Sequence, residues 1–303
     1  MTSPKAASEP EAVLVEDAFA HCEGLVRAAD RDRFLTALFA PAEHRGALAA
    51  LYAFNLEIAR VREVVHQPAA GEIRLQWWSD VLDGAGRGET AAHPVAAALL
   101  ATIARYRLPH ERLKALIEAR RFDLYDEPMQ TISALELYAD AAAGNLIALC
   151  AQILEAGSNT DTGMLAHHAG VAQALAGLLN AVSIHARRGQ LYVPLELLER
   201  HGAGRQDVVD DRSMARKPAS DGLRAALAEL RLIARRHLAQ AHELMRAATA
   251  AVVPAVLPVA LVPALLARME RRSYDPFTPI EIAPWRRQWC IWRAARRPAR
   301  IFR

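Results

Sequence analysis

The sequence is poor in the residues that mark secreted, fibrous or nucleic-acid-binding proteins. Its 3 cysteines in 303 residues, Cys22, Cys150 and Cys290, lie far apart within apolar helical pattern. That spacing excludes a disulfide framework and a cysteine-based zinc cluster, and it points to a reducing compartment. Neither charge is in excess: 37 Lys+Arg against 34 Asp+Glu leave a formal +3. Most arginines have acids nearby, so nucleic acid is not an expected partner. The segment Met1 to Pro10 has no apolar stretch and carries Glu9, unlike a secretory signal or an Arg-rich transit peptide. A frayed, disordered tail over 1–11 is expected, on a cytoplasmic protein that is not secreted, with peripheral attachment to the inner membrane left open. Repeats, low-complexity runs and strand-type alternation are lacking as well.

What is present is alanine, with apolar residues at three- and four-residue spacing, and a composition 52% hydrophobic and 23% charged. The pattern predicts an all-α protein with a sizeable core and, for want of a linker, one large domain. Helices are expected over 12–29, 42–65, 69–83, 93–106, 109–127, 132–155, 163–187, 220–248, 255–270 and 279–297, with a surface loop over 201–219. Gly84-Ala85-Gly86-Arg87-Gly88 and Gly157-Ser158-Asn159 read as breaks, and Pro94 and Pro109 suit first-turn positions. Ala247 to Ala267 carries no charge and is long enough to span a bilayer. Pro254, Pro258 and Pro263 interrupt it and its Ala/Val content is only marginally hydrophobic, so a buried core helix is the preferred reading over a spanning one.

A series of short motifs then appears in a fixed order. Arg33-Phe34-Leu35 leads to Arg45-Gly46-Ala47-Leu48-Ala49-Ala50-Leu51-Tyr52-Ala53-Phe54-Asn55, followed by Leu75-Gln76-Trp77-Trp78 and His93-Pro94-Val95. Leu116-Ile117-Glu118 with Asp123, Tyr138 to Gly144, Arg187-Arg188-Gly189-Gln190-Leu191-Tyr192-Val193-Pro194 and Tyr274-Asp275-Pro276-Phe277 complete it. Together, over about residues 30 to 280, they resemble the squalene/phytoene synthase family of head-to-head prenyl transferases. The resemblance implies a single-domain isoprenoid synthase-like helical fold around a central cavity, spanning 12–284, with a basic Trp/Arg-rich helix and tail over 285–303. It also implies pocket residues at Tyr52, Asn55, Trp77, Asp123, Gly144, Arg188 and Tyr192.

Members of that family hold a diphosphate through magnesium with two Asp-rich motifs on facing helices. Mg²⁺ takes hard oxygen ligands and bridges carboxylates to phosphate oxygens, so the acids must share a cavity-facing side of each helix. The resemblance places the first set at Ala59, Arg60 and Glu63 and the second at Ala181, Ile184 and His185. Five of those six positions carry no acid, and neutral or cationic side chains do not replace oxygen ligands of a divalent cation. No cofactor is therefore expected, and no catalytic residue; Mg²⁺ belongs only to the alternative in which the chain is an active enzyme.

Other residues were weighed for the same work. Asp123, Asp126 and Glu127 read as one helix with Asp123 and Glu127 on one face; a pocket contact is as plausible as a solvated turn for Asp123, and the turn is preferred for the other two. Arg60 is able to take a phosphate bidentately, but the preferred reading is an exposed charged strip of Arg60, Arg62 and Glu63 in which Glu57 pairs with Arg60. His167-His168 is a conspicuous pair. Neighbours on a helix point about 100° apart, and neither a cysteine nor a second-turn histidine completes a metal set, so structural or surface roles are expected. No nucleophile-and-base pair, Gly-rich phosphate loop or dinucleotide fingerprint is present.

At the C-terminal end, Trp285, Trp289 and Trp292 fall on one helical face beside Arg286, Arg287 and Arg293, with no acid. The pattern suits either an interfacial helix on anionic lipid or a last helix packing its tryptophans on the core. Tyr52-Ala53-Phe54-Asn55-Leu56-Glu57-Ile58-Ala59 with Gln76-Trp77-Trp78, and without the Asp motifs, looks most like the branch of the family that contains the mitochondrial complex I assembly factor. The likeness implies a bacterial, non-catalytic assembly or scaffold factor whose partners are complex I subunits or assembly intermediates, at an anionic membrane surface or with an isoprenoid lipid. The alternatives are an active phytoene or squalene synthase and a carrier of an isoprenoid or other lipid.

Overall fold

The computed structural model describes residues 9–65, 67–85, 92–158, 161–209 and 218–303, the side chains of 9–14 excepted. Every regular element among them is helical: α1 Glu9–Ala29, α2 Arg31–Ala37, α3 Ala42–Val64, α4 Pro68–Leu82, α5 Pro94–Tyr106, α6 His110–Phe122, α7 Ile132–Ala139, α8 Asn145–Leu154, α9 Gly163–Asn180, α10 Val182–Arg187, α11 Leu195–Arg200, α12 Arg205–Val208, α13 Asp221–Met245, α14 Val253–Val256, α15 Val262–Met269 and α16 Pro284–Arg296. The all-α expectation holds. Its local signals do too: Pro94 opens α5 with the His93 side chain accepting from the Ala96 amide, and Ser220 caps α13 by accepting from Leu223.

Packing follows the apolar stripes. α1 lies on α3 and α5, and α3 also meets α5 and α8, while α9 is wrapped by α13, α8 and the turn Asp140–Gly144. The central helix α3 buries Leu48, Leu51, Phe54 and Ile58 completely, as expected for a helix with neighbours on several sides. Phe54 meets Trp78 edge-on at 5.0 Å, and Trp78 and Trp77 both contact the His93 ring, so Gln76-Trp77-Trp78 and His93-Pro94-Val95 form one aromatic joint between α3, α4 and α5.

Six expectations are corrected. The helix expected over 109–127 ends at Phe122, after Arg120 and Arg121 in its last turn, so Asp123 and Glu127 share no helical face. The helix expected over 163–187 breaks at Ala181, beside Asn180, whose amide bonds both backbone groups of Ile280. Residues 140–144 form a π-helical turn inside the helix expected over 132–155, and α12 lies within the expected loop, whose residues 210–217 fall outside the described ones. Helix α1 starts at Glu9, inside the span read as a tail; residues 1–8 lie outside the described residues. Glu57, finally, pairs not with Arg60 but with His93, at 3.5 Å. Gly86 to Gly88 and Asn159 also fall outside the described residues, while Gly84 and Gly157 take positive φ of 73° and 82° as turn glycines.

Two stretches, Ile132–Leu154 and Ala250–Met269, are long and apolar enough to cross a membrane by length and composition, and both are mostly buried inside the protein. In the second, Pro254, Pro258 and Pro263 each sit in the first turn of a short piece, α14, the 3₁₀ turn Leu257–Leu261 and α15, so the chain runs as consecutive short helices. The stretch is buried in the core as expected, but as short pieces rather than the single helix read over 255–270.

Candidate functional site

The ends of α3 and α10 meet beside the turn that follows α6. Glu63 in the last turn of α3 accepts from Arg188, just past α10, at 3.1 Å. Arg62 reaches Asp126 at 3.4 Å, and Arg205 donates to the carbonyls of Asp126 and Gly189. Of the six positions that the resemblance assigns to acids, Glu63 alone has a carboxylate, and a guanidinium already holds it. Ala59, Ala181 and Ile184 are half-buried; Arg60 is exposed and, among the described residues, pairs with no carboxylate. Asp126 and Glu127 are exposed, as expected of a solvated turn, although Asp126 carries the Arg62 contact.

Asp123 is different. It is 8% exposed, and its Oδ1 accepts from the Tyr192 hydroxyl at 2.6 Å and the Tyr138 hydroxyl at 2.8 Å, while Oδ2 accepts from Arg120 at 3.1 Å. Its carbonyl accepts from the Gln190 amide at 2.9 Å. Arg120 also donates to the Tyr138 hydroxyl. Burial first, and the Asp123 charge second, push the phenols of Tyr138 and Tyr192 above the ordinary tyrosine range. Both side-chain oxygens of Asp123 are thus occupied by a buried network joining α6, α7 and the segment after α10, an arrangement that locks structure in place.

Directly beside it, His185 packs on the Tyr192 ring with centroids 4.6 Å apart. Burial, together with the cation of Arg188 and against the attraction of Asp123, brings its pKa down to about 4, so the imidazole is neutral near pH 7. His185, Gln190 and Tyr192 close one end of an apolar pocket lined further by Leu135, Leu175 and Leu178. Counted as room for water centres, this pocket offers about 20 Å³, where one water needs about 10–15 Å³. A long prenyl chain does not fit in it as it stands.

The remaining pocket residues from the resemblance are dispersed. Tyr52 is 2% exposed, lies under the Arg33 guanidinium at 5.7 Å, and has its hydroxyl pushed far up by burial and by Cys150. Asn55 is 3% exposed, and its Oδ1 has no hydrogen-bond partner among the described residues. Trp77 belongs to the aromatic joint, and Gly144 to the crossing with α9, where a Cβ on Gly170 would stand 2.3 Å from the Gly144 nitrogen. Only Asp123, Arg188 and Tyr192 gather around the α3–α10 mouth. Sequence reasoning missed Arg120, Tyr138 as a hydroxyl donor, and Gln190; Arg120, three residues before Asp123, was the one local cue, whereas Tyr138 and Gln190 lie 15 and 67 residues away and left none.

Helix α16 turns its tryptophans outward. Trp285, Trp289 and Trp292 are 63%, 54% and 44% exposed, whereas Ile291 and Ala294 face the core. The reading in which these tryptophans pack on the core is overturned. Trp289 and Trp292 stack at 5.1 Å, Arg286 lies over Trp285 and Arg296 over Trp292, and Arg287 is tied to Asp32. On its neighbouring side α16 contributes Cys290 and Arg293 to a cleft that also contains Arg235, Arg300 and Arg303. Ile301 and Phe302 are buried, so the last helix and tail are part of the domain.

The protein is an all-α bundle with an apolar pocket between α7, α9 and α13 and a charged cluster where the ends of α3 and α10 meet, and comparison with known proteins places it among the all-α isoprenoid-synthase-like proteins. The profile of the squalene/phytoene synthase family matches residues 26–293, and the chain belongs to that family. Among curated relatives, mouse NADH dehydrogenase (ubiquinone) complex I, assembly factor 6 is 27% identical over 259 residues, covering 86% of this chain and 76% of the relative. The 15-cis-phytoene synthase of Synechocystis is 29% identical over 234 residues, covering 70% and 67%. The fold is that of a squalene synthase, HpnC, from Alicyclobacillus acidocaldarius, with a TM-score of 0.73 at 23% identity over 88% of this chain and 97% of that one, and of a dehydrosqualene synthase, with a TM-score of 0.78 at 18% identity over 93% and 97%.

Proposed function

We propose that this protein is a non-catalytic member of the squalene/phytoene synthase family that serves as an assembly or scaffold factor for NADH:quinone oxidoreductase at a membrane surface. The observation that carries the first half is the donor set at the α3–α10 mouth. Departure of a diphosphate demands neutralisation of its charge, ordinarily by metal-bridged oxygens. Here the residues are Ala59, Arg60, Ala181, Ile184 and a neutral His185, the one remaining acid, Glu63, is paired with Arg188, and Asp123 is enclosed by Tyr138, Tyr192 and Arg120. These residues do not fit a magnesium–diphosphate complex. The client half is supported by relatives named as complex I assembly factor 6 in mouse and human, each matching 86% of this chain.

Contact with an anionic membrane surface is supported by the outward tryptophans of α16 and the arginines around them, since Trp favours the head-group level and each Arg adds surface attraction of about 1 kcal/mol. Two measurements test the proposal. Purified protein given farnesyl or geranylgeranyl diphosphate with Mg²⁺ is expected to release no pyrophosphate; EDTA-sensitive release rejects the non-catalytic reading and restores the phytoene-synthase alternative. Deletion of the gene is expected to lower assembled complex I, with recovery on complementation, and unchanged complex I removes the client.

A further inference from the structure

The histidines that stand as a pair in the sequence form a triad in space. His167 and His168 on α9 meet His237 on α13, and one ring nitrogen from each lies within 4.8 Å of the other two. His167 and His168 meet edge to face at 4.9 Å, and His237 is tilted against His168 and His167 at 5.0 and 5.6 Å between centroids. Two carboxylates stand behind them: Asp140 Oδ1 is 3.0 Å from His167 Nδ1, and Glu136 Oε1 is 3.1 Å from His237 Nε2.

The proton positions follow from these contacts. A carboxylate only accepts, so His167 donates from Nδ1 and His237 from Nε2. In their neutral forms this leaves a lone pair on His167 Nε2 and another on His237 Nδ1. His168 Nδ1 faces His237 Nδ1 at 2.9 Å, so the lone pair of His237 is aimed at His168. Either one proton is shared there, or one electrophile sits among the three rings. A carboxylate behind a ring nitrogen, fixing the tautomer that points the other nitrogen inward, is the usual outer shell of a histidine-bound metal. Here two of three rings have one.

The spacing suits zinc. Zn–N bonds of about 2.0–2.1 Å in a tetrahedron put the nitrogens about 3.3 Å apart, and the triad needs only small side-chain adjustments to reach that from its present separations. The backbone supports the arrangement. Asp140 opens the π-helical turn, and a Cβ at Gly144 would stand 2.0 Å from its Oδ1, so glycine leaves the space in which that carboxylate turns toward His167.

We propose that His167, His168 and His237 bind one Zn²⁺ ion, with Asp140 and Glu136 orienting two of the rings. Nitrogen donors favour such a first-row transition ion over Mg²⁺ or Ca²⁺. The His237 side chain is 12% exposed and that of His167 33%, so the cluster opens to solvent on the His167 side, where water takes the fourth position. The ion joins α9 to α13 directly and reaches α7 and the π turn through the carboxylates. The same helices line the apolar pocket through Leu135, Leu175 and Leu230, so the site acts as a clasp on its wall. This inference does not rest on the proposed function.

The test is calorimetric titration of the metal-stripped full-length protein with Zn²⁺. One equivalent is expected to bind. His167→Ala, on the open side of the cluster, and His237→Ala are each expected to weaken it on the order of tenfold or more, and Glu136→Gln and Asp140→Asn by about tenfold, within the usual range for outer-shell partners. Circular dichroism reports whether each variant is folded, and His167→Ala together with the two carboxylate variants keeps the test decisive if His237→Ala is not. Co²⁺ in place of Zn²⁺ is expected to give the visible absorption of a four-coordinate nitrogen site in the natural chain and to lose it in His167→Ala. No binding to the natural chain, or equal binding by natural chain and folded variants, overturns the proposal and leaves the triad as a hydrogen-bonded cluster.

Discussion

Asp123 shows how much a single carboxylate can hold together once it leaves water. Tyr138, Tyr192 and Arg120 converge on its two oxygens, and none of the three has another carboxylate as partner among the described contacts. Asp123→Ala would leave the buried Arg120 without its counter-charge, which is expected to lower stability by about 3–5 kcal/mol, measured by urea unfolding. Tyr138→Phe, which removes one hydroxyl and keeps the ring, is expected to cost about 1 kcal/mol. Equal losses in the two variants would contradict the network. His185 adds a pH dependence. Its pKa of about 4 lies below the unfolded value near 6.5, so the unfolded chain takes up a proton first as pH falls. Stability is unaffected above about pH 6.5, is lost between about 6.5 and 4, and levels off below that. The loss should amount to roughly 2–3 kcal/mol, and His185→Gln should remove it from the pH profile of the urea midpoint.

Elements were easier to read than the contacts between them. Ten helices were expected from three- and four-residue spacing, and those read over 42–65, 69–83, 93–106 and 220–248 lie where expected to within a few residues, helped by caps such as Ser220 before α13. The π turn was not legible: Ala139 to Gly144 is a good helical sequence, and the extra residue shows only in how Asp140 and Gly144 meet α9. The break at Ala181 was hidden for a similar reason, since its cause lies in the Asn180–Ile280 contacts across 100 residues. Nor did helical spacing reveal that His237 would close on His167 and His168, because a triad shared between α9 and α13 leaves no local pattern. Two predictions belong to this scale. Gly170→Ala would press a Cβ against the Gly144 backbone, which cannot swing aside, and is expected to destabilise by about 3 kcal/mol or more in thermal unfolding. Trp289→Ala with Trp292→Ala, on the exposed face of α16, is expected to change stability by about 1 kcal/mol or less while reducing sedimentation with phosphatidylserine vesicles severalfold. Unchanged vesicle binding would detach α16 from the membrane reading.

At the scale of the whole molecule, the bundle has the family's helical architecture, and of the six positions that the resemblance assigns to acids Glu63 alone carries a carboxylate. The bundle keeps α3 and α10 close enough for Glu63 and Arg188 to pair, so the positions read as vanished acids lie on elements that still approach one another. Ala59, Ala181 and Ile184 are half-buried and Arg60 is exposed, so carboxylates there would keep some contact with water and need not break the fold. If the proposed lack of catalysis follows from the residues at these positions, placing acids there should create a response to ligand. Ala59→Asp, Arg60→Asp, Ala181→Asp and Ile184→Asp, combined in one variant, are expected to give a melting temperature that rises with Mg²⁺ and pyrophosphate together and with neither alone, because a ligand that binds only the folded state stabilises it by mass action. The natural chain is expected to show no such rise. A rise in the natural chain would mean that it grips the metal–diphosphate complex by groups other than those at the α3–α10 mouth. A folded variant that stays unresponsive would mean that the narrow apolar pocket beside Tyr192 and His185, rather than the residues at those four positions, keeps the metal–diphosphate complex out.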